Sequence, residues 1–283
     1  MSLKVAAAFD TEILSADSRQ FYRETELGTA KPDAKELATV RHHFVNSLSI
    51  HTDYNAGAYE RDALTLLEKL FLEKEVVVVV GGSGLYVKAL CEGIDEMPEI
   101  DPDIRKRLNQ EKETGGLPTL VEQLTKLDPE YAAIVDKHNP QRVIRALEVI
   151  ESTGKTYTSY RNATSTVQRP FNIVKIGLEM PREILYSRIE ERMDLMIAAG
   201  LFEEAGQLFP HRHLNALQTV GYSEIFGYLE GQYDKDEAIR LLKRNSRRYA
   251  KRQLTWFKKD EDVKWFSPDQ ERELMEYLRE TIE

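Results

Sequence analysis

The sequence predicts an α/β protein: a parallel sheet flanked by helices, interrupted by an all-helical insertion. Three observations carry that expectation. Val76 to Val80 is an unbroken run of five valines closed by Gly81-Gly82-Ser83-Gly84. A strand without period-2 alternation is what a parallel strand covered on both faces looks like. The helical stretch before it, Tyr54 to Glu73, supplies the crossover that parallel pairing needs. From Asp101 to Val167, by contrast, apolar residues recur at spacings of three and four (Leu120, Leu124, Leu127; Val143, Leu147, Ile150), a helical period.

Taken in order, Ser2 to Phe9 reads as the back half of an amphipathic helix, and Glu12 to Ala16 as a short strand running into Asp17-Ser18. Asp101-Pro102 and Asp128-Pro129 start helices, because proline at the first helical position gives up a donor that has no partner there anyway. Phe171 to Leu178 is a third strand in a less buried position, since Ile173, Lys175 and Gly177 alternate with Val174 and Ile176. Beyond Pro181 the chain is mostly helical to about Asp260, and Val263 to Phe266 adds an edge strand. The expected division is an α/β core over 1–100 and 168–283, with the helical insertion over 101–167.

Composition narrows the function classes. The 283 residues, 41% of them hydrophobic, are enough for a proper core. Lys and Arg number 39 against 48 Asp and Glu, a net charge of −9, which argues against indiscriminate nucleic-acid coating while leaving room for a local basic face. Cys91 is the sole cysteine, so no internal disulfide forms. No stretch approaches the roughly 20 apolar residues of a membrane span, and Met1 to Phe9 lacks the features of a signal peptide. The expectation is a reduced, cytoplasmic protein away from membranes.

Several segments are candidates for chemistry. Asp17-Ser18-Arg19-Gln20 stands at a strand's carboxyl end, where open α/β sheets bind ligands. Asp17 is there either a base or metal-linked carboxylate, or a cap on the next helical turn. Gly81 to Tyr86 leaves a strand and opens a helix, so its amides suit a phosphate, or its glycines serve a tight turn. Gly154-Lys155-Thr156 imitates a Walker loop, but Val149 stands where that motif needs glycine and a helix precedes it; Gly154 is read as a helix C-cap. Arg142 and Arg145 lie one turn apart, either a solvated face or a clamp for phosphate or base. Arg188 and Arg192 are four apart, either salt-bridged to Glu190, Glu191 and Asp194 or directed at an anion. Arg240, Lys243, Arg244, Arg247, Arg248, Lys251 and Arg252 gather seven cations on adjacent helical stripes, which in an acidic protein point to an anionic partner such as a nucleic-acid backbone. His42-His43 has no accompanying Cys/His cluster, so no metal site is expected there.

In succession these segments resemble the tRNA dimethylallyltransferase, or tRNA isopentenyltransferase, family. The match runs through Ser15 to Gln20, Gly28-Thr29-Ala30-Lys31-Pro32, His42-His43, Gly81 to Tyr86, Gln141 to Glu148, Thr153-Gly154-Lys155, Arg188 to Met196, Val220-Gly221-Tyr222 and Arg252 to Phe257. The resemblance implies a core similar to P-loop nucleotide kinases and an Mg²⁺-assisted transfer of a dimethylallyl group. The donor is dimethylallyl diphosphate, and the acceptor is the exocyclic amine of the adenine 3′ of the anticodon in a tRNA stem-loop. By resemblance Asp17 is the general base, and Ser18, Arg19 and Gln20 line the base pocket. Ser83 and Arg105 lie beside the reaction channel, and Arg192, with Gly82 and Ser83, holds the diphosphate. Gln141, Arg142, Val143, Ile144 and Arg145, and Gln218, Thr219, Val220, Gly221, Tyr222 and Ser223, contact the anticodon loop. No protein partner is implied and the expected state is a monomer. The alternatives are a prenyltransferase acting on free adenine nucleotide and a non-catalytic tRNA-binding homologue.

Members of that family open with a strand and a Gly-rich loop ending Gly-Lys-Thr or Gly-Lys-Ser, which binds the donor. This sequence contains neither, and Ser2 to Phe9 corresponds to the helix after that loop. The expectation is truncation or loss of that loop, with weak donor binding and slow turnover by the 283-residue polypeptide and activity in a longer form.

Overall fold

The computed structural model describes residues 1–95, 97, 98, 100–161 and 167–282. It divides into two compact units, Met1–Cys91 with Pro170–Glu283, and Glu92–Arg169. The first unit begins with α1 (Ser2–Ala8), β1 (Ile13–Ser15), α2 (Ala34–Thr39), β2 (His42–His43), α3 (Ala56–Leu70), β3 (Val78–Val80) and α4 (Gly84–Glu92). Local chemistry sets the helix starts. Asp33 and Glu36 form a reciprocal capping box before α2, and the Asn55 side chain accepts from the Ala58 N–H before α3. β1 lies between β2 and β3 and is parallel to both, with Ile13 opposite His42 and Val78.

Burial within this sheet differs from the expectation. Ile13, Leu14 and Ser15 are buried, and Leu14 packs with Phe21, Tyr59, Leu67 and Leu90. Each such fully buried large side chain stabilises the fold by about 1.5–3 kcal/mol. The valine strand is not enclosed on both faces: Val79 and Val80 are each 38% exposed. The reason is position, since among the described residues β3 has a strand neighbour on one side only. His42-His43 is the other outer strand; the His43 Nε2–H donates to Glu12 Oε2 at 2.5 Å and His42 Nδ1–H to the Val40 carbonyl at 2.8 Å.

The second unit is helical: α5 (Pro102–Leu127), α6 (Pro129–Ile134), α7 (Pro140–Thr153) and α8 (Tyr157–Arg161). Asp101 and Asp128 cap α5 and α6 with proline at the first positions, as expected. Gly116, at φ 79°, breaks α5 ahead of Pro118. Leu108, Leu120, Leu124, Ile144 and Leu147 form the core, whereas Leu127 of the expected apolar stripe is 47% exposed. Gly154 ends α7 in the left-handed conformation, φ 69°, with its N–H on the Ile150 carbonyl.

The chain returns to the first unit with β4 (Ile176–Leu178), α9 (Arg182–Ala198), α10 (Leu201–Leu208), α11 (Ser223–Leu229), α12 (Lys235–Phe257), β5 (Lys264–Phe266) and α13 (Glu271–Ile282). β4 is shorter than the expected 171–178 strand and is not hydrogen-bonded into the first sheet. It pairs in parallel with β5 in a sheet of two, Ile176 opposite Lys264. A large apolar cluster, including Met193, Leu201, Leu217, Tyr222, Ile225 and Leu242, joins α9 to α12. Among the described residues no helix is long and apolar enough to cross a membrane.

Candidate active site

The carboxyl end of β1 delivers Asp17 into a cavity of 780 Å³ within the first unit. Asp17 caps no helix: its Oδ1 accepts the Arg19 N–H at 2.9 Å in a turn. Exclusion of water raises its carboxyl above the ordinary aspartate value; the Arg19 and Gln20 backbone and the charges of Arg19 and Arg192 act in the opposite direction. The result is a carboxylate that takes up a proton more readily than a solvated one.

Arg188 and Arg192 of α9 line the same cavity. The neighbouring acids of α9 make other contacts, although Glu191 itself lines the cavity. Glu190 pairs with Arg247, Asp194 pairs with Lys243 at 2.6 Å, and Glu191 accepts from Ser187 at 2.9 Å. Neither arginine makes a hydrogen bond or ion pair with another described residue. Desolvation and the neighbouring Arg188 lower the Arg192 guanidinium, which the Asp17 charge partly offsets. Two guanidiniums without a hydrogen bond or ion pair, close to Asp17 in a cavity that Glu191 and Glu271 also line, can accept an anionic group.

Arg19 and Gln20 hold the walls. Arg19 Nη1 donates to the carbonyls of Asn215 at 2.8 Å and Ala216 at 3.2 Å, and Nη2 to that of Gln218 at 3.3 Å. The Gln20 amide reaches the Thr29 and Ala30 carbonyls at 3.4 and 3.2 Å, while its Oε1 accepts from Ser15 at 3.0 Å. Both residues still line the cavity, with Thr219, Val220 and Gly221. Of the 218–223 run, Thr219, Val220 and Gly221 line the cavity, Tyr222 is fully buried, and Gln218 and Ser223 are exposed outside the lining.

The glycine turn after β3 is occupied by protein. An added Cβ on Gly82 would overlap the Gln253 side chain, whose Nε2 donates to the Gly82 carbonyl at 2.9 Å. Gly82 and Ser83 are absent from the cavity lining. Ser83 Oγ accepts from the Ser18 N–H at 2.9 Å and donates to Ser18 Oγ at 3.1 Å. The Tyr249 phenol, hydrogen-bonded with Ser83 and Gln253, is raised by desolvation and by the Asp17 charge, so it stays protonated. Tyr249 and Gln253 are wall residues that the sequence does not single out as site residues; the signal for them is their place, with Ser246, on one stripe of α12.

None of the seven cations of α12 lines the cavity. Arg240, Lys243 and Arg247 pair with Glu237, Asp194 and Glu190, whereas Arg244, Arg248, Lys251 and Arg252 form no carboxylate pair among the described residues. In the helical unit, Val143 and Ile144 are core residues, 0% and 1% exposed, because the apolar side of α7 faces its neighbours. Gln141, Arg142 and Arg145 are the members of that run that reach solvent. Arg105 is engaged by Glu148, with Nη2 at 3.2 Å from Oε2, and Arg145 approaches the same buried carboxylate at 3.5 Å.

Among the described residues no group of three or more His, Cys, Asp or Glu side chains could hold a metal. Glu191 and Glu271 also line the cavity, but the charges acting on Asp17 are those of Arg19 and Arg192, which repel a cation. The residues present therefore do not form a resident metal site.

A family model described as IPP transferase matches residues 20–260. The chain is 51% identical over 283 residues to the tRNA dimethylallyltransferase of Cytophaga hutchinsonii, covering all of this chain and 93% of that one. It is 49% identical over 282 residues to tRNA dimethylallyltransferase 1 of Bacteroides fragilis, with the same coverage, 100% and 93%. Among solved structures, the full-length tRNA isopentenylpyrophosphate transferase of Bacillus halodurans superposes with a TM-score of 0.71 at 36% identity, over 99% of this chain and 91% of that one. A eukaryotic dimethylallyltransferase acting on tRNA shares the fold, with a TM-score of 0.76 at 23% identity over 94% and 69% of the two chains.

Proposed function

The chain belongs to the IPP transferase family, and on that premise we propose that it moves a dimethylallyl group from dimethylallyl diphosphate to the exocyclic amine of the adenine 3′ of a tRNA anticodon. The observation that carries the reading is the common cavity faced by Asp17 and by the unpaired Arg188 and Arg192. The amine is a poor nucleophile because its lone pair is delocalised into the ring. It attacks the allylic carbon as the bond to the diphosphate oxygen breaks. Asp17 accepts the amine proton, a role suited to a carboxyl raised by desolvation. The leaving diphosphate gathers negative charge, which Arg192 and Arg188 offset away from bulk water.

Reaching the amine requires extruding the base from the loop, which is cheapest where the strand is already unpaired. Thr219, Val220 and Gly221 supply the wall for that base, and Ser83 acts through Ser18 and Tyr249. Gln141, Arg142 and Arg145 are assigned to the anticodon loop, and the unpaired α12 cations separately supply a basic surface for an RNA backbone. The proposed enzyme works as a cytoplasmic monomer, its cavity needing no residue from a second copy. Mg²⁺ belongs in this scheme to the diphosphate donor, and no step above runs through it.

The test offers labelled dimethylallyl diphosphate with an anticodon stem-loop or with AMP. Label enters the stem-loop in preference to AMP, and transfer falls as salt rises, because phosphate contacts are salt-sensitive. Preference for AMP would assign the chain to free nucleotides, and salt-sensitive stem-loop binding without transfer would make it a binding protein.

A further inference from the structure

Two loops form walls of the cavity: Gly28, Thr29 and Ala30 on one stretch, and Thr219, Val220 and Gly221 on the other. Glu204, in the first turn of α10, is outside the lining but is bonded to both loops. Its Oε2 accepts the N–H groups of Glu26 at 3.1 Å and Leu27 at 2.8 Å, and its Oε1 accepts that of Gly28 at 3.1 Å. Oε1 also takes the Tyr222 hydroxyl at 2.5 Å. Four donors converge on one carboxylate, an arrangement that only an acceptor-only, ionised group satisfies.

The surroundings fix the geometry further. Tyr222 is fully buried, and burial with the adjacent carboxylate keeps its phenol protonated and donating. Its ring lies so close to Gly28 that an added Cβ there would sit 2.5 Å from the ring carbon, so the loop rests directly on the ring. Gly221, at φ 111°, carries the chain from Tyr222 back to the wall.

We propose that Glu204 is a positioning residue that sets the spacing between the two walls receiving the acceptor base, through the backbone of Glu26 to Gly28 and the Tyr222 hydroxyl. The proposal rests on the reading of the acceptor as a base extruded from an RNA loop. An amide at this position offers one acceptor oxygen and presents N–H groups to N–H groups, so Glu204→Gln loosens both attachments without changing the volume of the side chain.

The experiment measures affinity for two anticodon stem-loops, identical except that one is abasic at the position 3′ of the anticodon. The unchanged chain binds the loop with adenine more tightly. Glu204→Gln loses about tenfold in affinity for that loop, equivalent to about 1.4 kcal/mol, while binding to the abasic loop is unchanged. Tyr222→Phe, which removes one of the four donors, shows the same selective loss to a smaller extent. Equal weakening toward both loops in both variants marks general destabilisation and overturns the proposal, as does unaltered discrimination in Glu204→Gln. If the unchanged chain does not distinguish the two loops, the proposed function itself fails, which is a separate result.

Discussion

Arginine and carboxylate meet in both units of this protein, with opposite outcomes. In the helical unit Glu148 is 1% exposed and its charge is consumed by Arg105 and Arg145. In the α/β unit Asp17, Arg188 and Arg192 share a cavity, yet neither arginine is hydrogen-bonded or ion-paired to a described residue. A satisfied pair organises a core. Charges held close but unpaired raise the electrostatic cost of the folded state and are kept where a ligand completes them. The difference separates the arginine that holds the fold from the arginine available for chemistry, and four substitutions test it.

The largest effect is expected at Asp17. Replacing the base by Asp17→Asn lowers transfer by about 10²–10⁴-fold, the range for loss of a general base. The sign of its stability effect is also fixed. A carboxyl raised in the folded state binds its proton more tightly there than when unfolded, so ionised Asp17 lowers stability as pH rises through that raised value. The Asp17→Asn side chain keeps an oxygen for the Arg19 N–H and removes the charge, so thermal unfolding at neutral pH moves upward while activity is lost. In the unchanged chain, the acid limb of the rate lies above the ordinary aspartate range. An Asp17→Asn variant that melts lower, with transfer intact, would mean that this carboxylate is a structural anchor.

Arg105→Met is next. It leaves Glu148 buried with only Arg145; because the Arg105 side chain is 52% exposed, water screens the pair and the loss is about 1.5 kcal/mol. Urea unfolding of the variant shows that loss, while Arg192→Met, which breaks no pair, unfolds like the parent and loses transfer. If Arg105→Met is as stable as the parent but inactive, Arg105 belongs beside the reaction channel after all, and the contrast between the two arginines is false.

The same contrast explains what could be read without coordinates. The strand ending at Asp17, the valine strand, the capped helices at Asp101 and Asp128 and the helical insertion were legible because each is written in local periodicity or cap chemistry. The exposure of Val79 and Val80 was not, because the valine pattern reports apolarity and says nothing of how many neighbours a strand has. The family resemblance groups Val143 and Ile144 with Arg142 and Arg145, although adjacent residues on α7 are turned by about 100° and reach opposite surroundings. Arg188 and Arg192 were legible as candidates but not as free charges. That depended on Arg247 and Lys243, more than 45 residues away, taking Glu190 and Asp194. Glu204 carried no sequence signal, since its donors are backbone N–H groups that every residue but proline possesses.

The smallest effect is reserved for Gly154, the residue that mimics a phosphate-binding loop. Its φ of 69° disfavours any side chain, yet an added Cβ would meet no atom within 4 Å. Gly154→Ala is therefore a conformational perturbation without a steric one, and about 1 kcal/mol of stability is expected to be lost. The cost falls on the C-terminus of α7, where the Gly154 N–H bonds to the Ile150 carbonyl at 2.8 Å. Inhibition of transfer by inorganic diphosphate reads whether the site for that anion is disturbed. With a helix cap as its only role, the variant unfolds slightly earlier in urea and its inhibition constant matches the parent's. A weakened inhibition constant at unaltered stability would instead make Gly154-Lys155-Thr156 an anion loop, and the separation of a structural helical unit from a reactive α/β unit would not hold.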